Sequence, residues 1–157
     1  MSAAEGRATD ADLLAEGLRV PGGRSRFEAD LKRIAALAEA IRGTPVYLSV
    51  CLVDDPTMAE HNERWLGHSG PTDVISMAMA ESPTLEGELL ISVDTARREA
   101  EARGHPAYHE LVLYAVHGVQ HLLGHDDHDP DARRRMRRAE RRMLADLGLP
   151  AVFGRGG

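Results

Sequence analysis

Apolar and polar positions alternate over VYLSVCLV, residues 46–53, where Val46, Leu48, Val50 and Leu52 share one side. With β-branched residues favouring an extended chain, this pattern predicts a strand. Upstream, Phe27, Leu31, Ile34, Ala38 and Ile41 recur at helical spacing behind Ser25 and Glu28, a capping-box pair, and Gly43 and Pro45 stop the helix. Thr57 and Glu60 form a second such pair, opening a short helix that turns Met58, Asn62 and Trp65 to one face. Two more strands are predicted over 72–79 and 86–93, on either side of the turn-rich 81–84, with Asp94 capping the helix that follows. ELVLYAVHGVQHLL, residues 110–123, is apolar over nearly its whole first half, as for a helix running through the centre of a small domain. Gly124 releases the chain into HDDHD. Asp129 and Pro130 then read as an N-cap with proline at N1, starting a last helix that turns Met136, Met143 and Leu147 to the core.

Residues 1–23 lack a clean period and include Pro21, Gly22 and Gly23, which predicts a loosely ordered arm with a short strand or helix near 13–20. The pattern as a whole predicts one α+β domain over 24–150 and a flexible tail over 151–157.

Length agrees, since 157 residues suit a single core. Aromatic residues are only 4%, so that core must rely on Leu, Val, Ile, Ala and six Met. A lone cysteine, Cys51, allows neither an internal disulfide nor a zinc knuckle, which points to a reducing, cytoplasmic compartment and an inert thiol. With no basic-then-apolar leader and no apolar run of membrane length, neither export nor a membrane span is expected.

The net charge of −6 is unevenly spread: residues 45–100 hold three basic groups against ten acidic, and residues 131–157 eight against three. A basic terminal helix can meet a phosphate backbone although the whole chain is acidic. A solvated helix face is the equally ordinary reading, because 18 of the 19 basic residues throughout the chain are Arg.

Four of the eight histidines, His117, His121, His125 and His128, fall within twelve residues. Spacing of four places His117 and His121 one helical turn apart on one face, where two neutral imidazoles can chelate a divalent cation. Beyond Gly124 the chain can return a third ligand, with Asp127 and His128 as candidates and Asp126 and His125 less favoured. Three protein ligands and one open position describe a hydrolytic zinc site. The related HExxH pattern carries a glutamate base, but that position here is Gly118, so water activation must come from the cation, another carboxylate or the substrate.

HGVQHLLGHDD, together with Asn62, PTDVIS at 71–76 and GELLIS at 87–92, resembles the YbeY family of bacterial endoribonucleases, also called rRNA maturation factors, across roughly 45–147. The resemblance implies a compact mixed sheet flanked by helices, with a central helix carrying ligands for one ion, usually zinc. It further implies action on single-stranded RNA, in 3'-end maturation of small-subunit (16S) ribosomal RNA and in ribosome quality control. Carried onto this chain, His117 and His121 are the first two ligands, and the third position, usually His, falls on Asp127, preferred to His128 because it keeps the spacing. The family's Arg just after the aromatic at Trp65 is Leu66 here, so Arg64 or the Arg-rich last helix (Arg133, Arg134, Arg137, Arg138, Arg141 and Arg142), with Arg134 and Arg138 as its outward pair, must supply the phosphate contact. Asp73 and Glu88 are candidate carboxylates beside the metal, and Asn62 and Ser76 candidate nucleotide contacts. Two other readings stand beside this one: a metallopeptidase-like hydrolase, against which Gly118 argues, and a non-catalytic ribosome-assembly factor whose metal holds the 117–128 turn.

Overall fold

The computed structural model of the chain describes residues 6–67, 70 and 72–152. Most of the tail expected at 151–157, the start of the N-terminal arm and Pro71 of the PTDVIS block therefore lie outside the described residues. In chain order the elements are β1 (Asp10–Leu14), α1 (Arg24–Arg42), β2 (Val46–Val53), α2 (Asp55–Leu66), β3 (Val74–Ala80), β4 (Leu85–Ser92), α3 (Val93–Arg103), α4 (Ala107–Leu122) and α5 (Pro130–Asp146). The four strands form one mixed sheet in the order β1-β2-β4-β3, with only β3 antiparallel to its neighbour.

β2 behaves as its alternation predicts, burying Val46, Leu48, Val50 and Leu52. The arm differs from expectation. Residues 10–14 form an edge strand parallel to β2, burying Ala11 and Leu13 between exposed acidic neighbours, while Lys32 of α1 holds Asp10 at 2.7 Å. So short a segment, with Asp at two of its five positions, carries too little period to be read alone.

One face of the sheet is covered by α1 and α4. Gly118 marks a close approach, because a Cβ there would stand 2.7 Å from Leu89 Cδ2 and 3.3 Å from Val74 Cγ2. Gly87 of β4 likewise leaves room for Leu122. Since strand side chains alternate, Gly87 and Leu89 face α4 while Glu88 and Leu90 face away, where Leu90 packs with Met58 of α2 and with Ile75. On α1, Phe27, Leu31, Ile34 and Ala38 are fully buried, but Ile41 is 62% exposed, because the last turn overhangs the flank of α5 instead of the sheet. Arg33 closes the far end of α5, donating to the carbonyls of Asp146 and Leu147 at 3.1 and 3.2 Å.

Three helix starts differ from the capping pattern. α1 begins behind Gly23 with no side-chain cap, so the Ser25–Glu28 pair does not form one. α2 starts ahead of Thr57, whose N–H is accepted by Asp54, and Trp65 is 43% exposed. α3 is capped by Ser92, which frees Asp94 to accept the Asp55 N–H of α2 at 2.8 Å. The Asp55 carboxylate in turn accepts from Ser92 Oγ at 2.6 Å, Thr95 Oγ1 at 2.9 Å and Arg98 Nη1 at 2.8 Å. Only α5 opens as predicted, with Asp129 accepting the Ala132 N–H at 2.8 Å and Pro130 in the first turn.

The Asp55 lattice gives a pH-dependent expectation. Burial alone would raise the Asp55 carboxyl, but the bonds from Ser92, Arg98 and Thr95 together hold it below the ordinary carboxylate value. A depressed folded pKa stabilises the protein above the unfolded value of ~3.9, and that stability is lost as pH falls through the lower folded value. Asp55→Asn is therefore expected to lower stability by about 1–2 kcal/mol at neutral pH. Urea unfolding of both proteins at neutral pH and again well below the carboxylate range should show the gap closing; a constant gap would rule this account out.

Among the described residues no helix is long and apolar enough to cross a membrane.

Candidate active site

One flank of α4 turns two imidazoles toward α5. His117 and His121 emerge there one turn apart, with ring centroids 4.8 Å apart and planes at 82°. α5 answers with Glu140, whose side chain is 2% exposed and whose Oε2 lies 2.5 Å from His117 Nδ1. An ionised carboxylate only accepts, so Nδ1 carries the proton and the His117 Nε2 lone pair is left for another partner. Arg137 stands 3.6 Å from the other oxygen of Glu140.

The two imidazoles are driven apart electrically. Burial disfavours charge on His117, but the Glu140 hydrogen bond and charge, with Asp73 and Asp127 farther off, leave it above its ordinary value. Burial and the neighbouring His117 hold His121 below its own, with Asp127 pulling the other way. His121 is thus neutral at physiological pH, the form in which imidazole donates a lone pair.

The expected site residues separate into those gathered at this pair and those placed elsewhere. Asp127 lines a small concavity with His117, Glu140, Met136, Arg133 and Arg137. Asp73, ahead of β3, joins His117, Tyr114, Arg103, Arg137 and Glu140 around a second concavity of about 260 Å³. His128 is exposed and lines neither, its N–H donating to Asp126 Oδ1 at 3.1 Å within the turn. His125 lines a groove on the opposite flank of α5.

Glu88 does not reach the histidines. It lies on the face of the sheet turned away from α4, lining a concavity with Ser49, Cys51, His61 and Trp65. Burial of Cys51, with the Glu88 charge beside it, pushes the half-buried thiol up, in keeping with an inert cysteine. Asn62 is buried and donates to the Gly70 carbonyl at 2.8 Å, a brace for the loop before β3. Arg64 pairs with Glu60 at 2.9 Å on the exposed side of α2, and Leu66 ends that helix half exposed. Ser76 lies on β3 two residues after Val74 and so on the α4 face. On α5, Arg134 pairs with Asp131 and Arg138 lines the His125 groove, whereas Arg133 and Arg137 line the concavities at His117.

Sequence reasoning missed Glu140 and Arg103, and among the arginines of the last helix it singled out Arg134 and Arg138 where Arg133 and Arg137 face His117. Glu140 had a visible signal, since it follows Met136 by four positions and precedes Met143 by three, an acidic residue on the inward stripe of a helix.

Among the described residues no three His, Cys, Asp or Glu side chains are gathered closely enough to hold a metal ion. The donor set nevertheless fits one in kind, because a neutral imidazole, a second imidazole backed by a carboxylate and an exposed aspartate on the same flank are the ligand types zinc accepts.

Comparison with known proteins places this geometry. Residues 23–148, from the start of α1 to the end of α5, match the family model described as Endoribonuclease YbeY. The Endoribonuclease YbeY of Frankia alni is 36% identical over 146 residues, spanning 83% of this chain and 76% of that protein. That of Thermobifida fusca is 39% identical over 136 residues, spanning 77% and 88%. The solution structure of TM1509 from Thermotoga maritima shares the fold, with a TM-score of 0.60 at 20% identity over 88% of this chain and 91% of that one. With the family model matched from α1 to α5 and relatives at 36% and 39% identity over most of the chain, the chain belongs to the endoribonuclease YbeY family.

Proposed function

We propose that the chain is a metal-dependent endoribonuclease that cleaves single-stranded RNA at the His117 flank of α4. In the cell its substrate is the precursor of 16S ribosomal RNA at the 3' end, free or in the small ribosomal subunit, with a part in ribosome quality control in the cytoplasm. The observation that carries this reading is the Glu140 carboxylate 2.5 Å behind His117 Nδ1, which fixes the imidazole with Nε2 outward beside His121.

His117, His121 and Asp127 would hold one divalent ion, Zn2+ by ligand type. When bound, such an ion supplies positive charge at the scissile phosphate and lowers the pKa of water. The chain's own groups do the rest. Arg103, Arg133 and Arg137 line the two concavities with guanidinium groups suited to phosphate oxygens, taking over from Arg64 and the missing family arginine at Leu66. Asp73, in the concavity shared with His117, is the carboxylate placed to accept a proton from the attacking hydroxyl or water. Water attack leaves a 5'-phosphate and attack by the 2'-OH leaves a cyclic phosphate, so analysis of product ends decides between them. A peptidase reading finds no support, because position 118 faces Leu89 and Val74 of the sheet and offers no seat for a base.

The ligand choice is tested by metal content. After equilibration with zinc and desalting, Asp127→Ala is expected to lose most bound metal, and His128→Ala to keep nearly the wild-type amount. The reverse pattern would reassign the third ligand. Cleavage of an end-labelled single-stranded RNA by the wild-type protein, abolished by chelator and restored by added metal, tests the activity itself.

A further inference from the structure

On the far flank of α5 from His117, a groove of about 460 Å³ separates α1 from α5. That volume falls within the range of pockets that take small organic groups, ~300–1,000 Å³. Its floor is apolar, with Leu37 and Ile41 from α1 and Ala139 and Met143 from α5. Ile41 is one of the few large apolar residues standing in solvent, at 62% exposure. The rim is cationic, because Arg135, Arg138 and Arg142 line it against one acid, Asp146.

A polar group also opens to this floor. Gln120 of α4 is 1% exposed yet lines the groove, and its Nε2 donates to the Met143 thioether at 3.7 Å. Thioether sulfur is a weak acceptor, so the amide retains most of its capacity to bond. An apolar floor, an under-used amide and a guanidinium rim match the base, base edge and phosphate of a nucleotide. An acidic aliphatic peptide would satisfy the rim and pair with the amide through its backbone, but it brings no flat ring to lie on the apolar floor.

Continuity with the active site supports the same occupant. The segment joining α4 to α5 carries His125, which lines this groove, and two residues later Asp127, which lines the His117 concavity. A strand rounding the start of α5 can therefore occupy both.

We propose that the α1–α5 groove binds one unpaired nucleotide of the RNA flanking the scissile bond, its base over Leu37 and Ile41 beside Gln120 and its phosphates on Arg138 and Arg142. The proposal rests on the endoribonuclease reading and adds to it a flanking subsite that selects unpaired RNA.

The test uses the full chain, a fluorescein-labelled 12-nucleotide single-stranded RNA and titrations at several salt concentrations. Ile41→Ser removes exposed floor and is expected to weaken binding about fivefold or more, as loss of apolar burial on this scale does. Arg138→Gln/Arg142→Gln is expected to reduce the slope of log affinity against log salt by about 1.4, since each phosphate contact on a single strand contributes roughly 0.7. In cleavage assays both losses should appear in KM, and circular dichroism should show the helices intact, since all three side chains are exposed. Wild-type protein that cleaves RNA, with variants unchanged in affinity and salt slope, overturns the groove and leaves the nuclease reading standing. Wild-type protein that binds RNA through these residues without cleaving it does the reverse. Unchanged RNA binding alongside lost binding of an acidic Glu-Leu peptide would assign the groove to a protein partner and overturn the proposal.

Discussion

Replacing His121 with alanine is expected to lower kcat/KM for single-stranded RNA by about 10²- to 10³-fold while leaving the fold intact, the scale seen when a charge-stabilising group is removed from an active site. His121 is half-buried on the α5 side of α4, and no side chain depends on it for a hydrogen bond among those found around the site. His117→Ala should lose as much activity and, in addition, stability. It strips Glu140 of its imidazole partner, and a carboxylate 2% exposed that loses a bond costs roughly 1–3 kcal/mol. The contrast between the two variants is the diagnostic quantity, read from initial rates on a labelled RNA and from urea midpoints. Wild-type rates in His121→Ala would remove this helix face from the chemistry, and equal stability of the two variants would show that the Glu140 contact carries no weight.

Glu110→Ala is expected to be the most destabilising single change on the helix that carries the histidines, by about 3–5 kcal/mol, the range for breaking a buried charged network. Glu110 is fully buried in the first turn of α4, where a negative charge also suits the helix dipole. Its two oxygens accept from Arg103 at 3.1 Å each and from Tyr114 at 2.7 Å, and His105 closes the group. Burial, with Glu110 beside it, pushes the Tyr114 hydroxyl up, so it remains a neutral donor. Alanine leaves the tyrosine hydroxyl without its acceptor and the partly covered Arg103 guanidinium with Glu99 alone, at 3.1 Å. Against a total of ~5–15 kcal/mol for a domain, this brings the protein near its threshold. Glu110→Gln keeps the shape and an acceptor for Tyr114, so it should cost less than half as much. Chemical unfolding followed by circular dichroism measures both, and a loss below ~1 kcal/mol for alanine would show that water replaces the glutamate at little cost. Because Arg103 and Tyr114 also line the concavity of Asp73 and His117, the alanine variant should impair cleavage as well.

How much of this was legible in the sequence depended on the distance over which each signal acts. The strand at 46–53, the long apolar helix and the Asp129–Pro130 start follow from neighbours within a turn or a pleat, and they stand where the pattern placed them. The His117–His121 pair is local in the same sense. The caps at α2 and α3 were misplaced because several acceptors lie together and tertiary position chose among them, Ser92 taking the α3 N–H while Asp94 crossed to α2. Glu88 was wrongly expected near the histidines because sequence gives the alternation of a strand but not which side meets α4. Leu122 over Gly87 decides that, and it sends Glu88 to the other face. Glu140 and β1 depend on partners outside any short window, Glu140 on His117 on the preceding helix and β1 on β2 beyond the whole of α1.

The continuity of the α4–α5 hairpin has a consequence for the order of assembly. His117, His121, Asp127 and Glu140 all come from two successive helices and the short segment joining them, residues 123–129. Closing so short a connection costs little chain entropy, and contacts close in sequence form early. The parallel pairing of β1 with β2, by contrast, must bridge the whole of α1. The hairpin should therefore hold its reactive groups in register while the sheet edge is still unformed, and a refolding or partly opened full-length chain would protect the backbone amides of α4 and α5 from hydrogen exchange before those of its N-terminal strand.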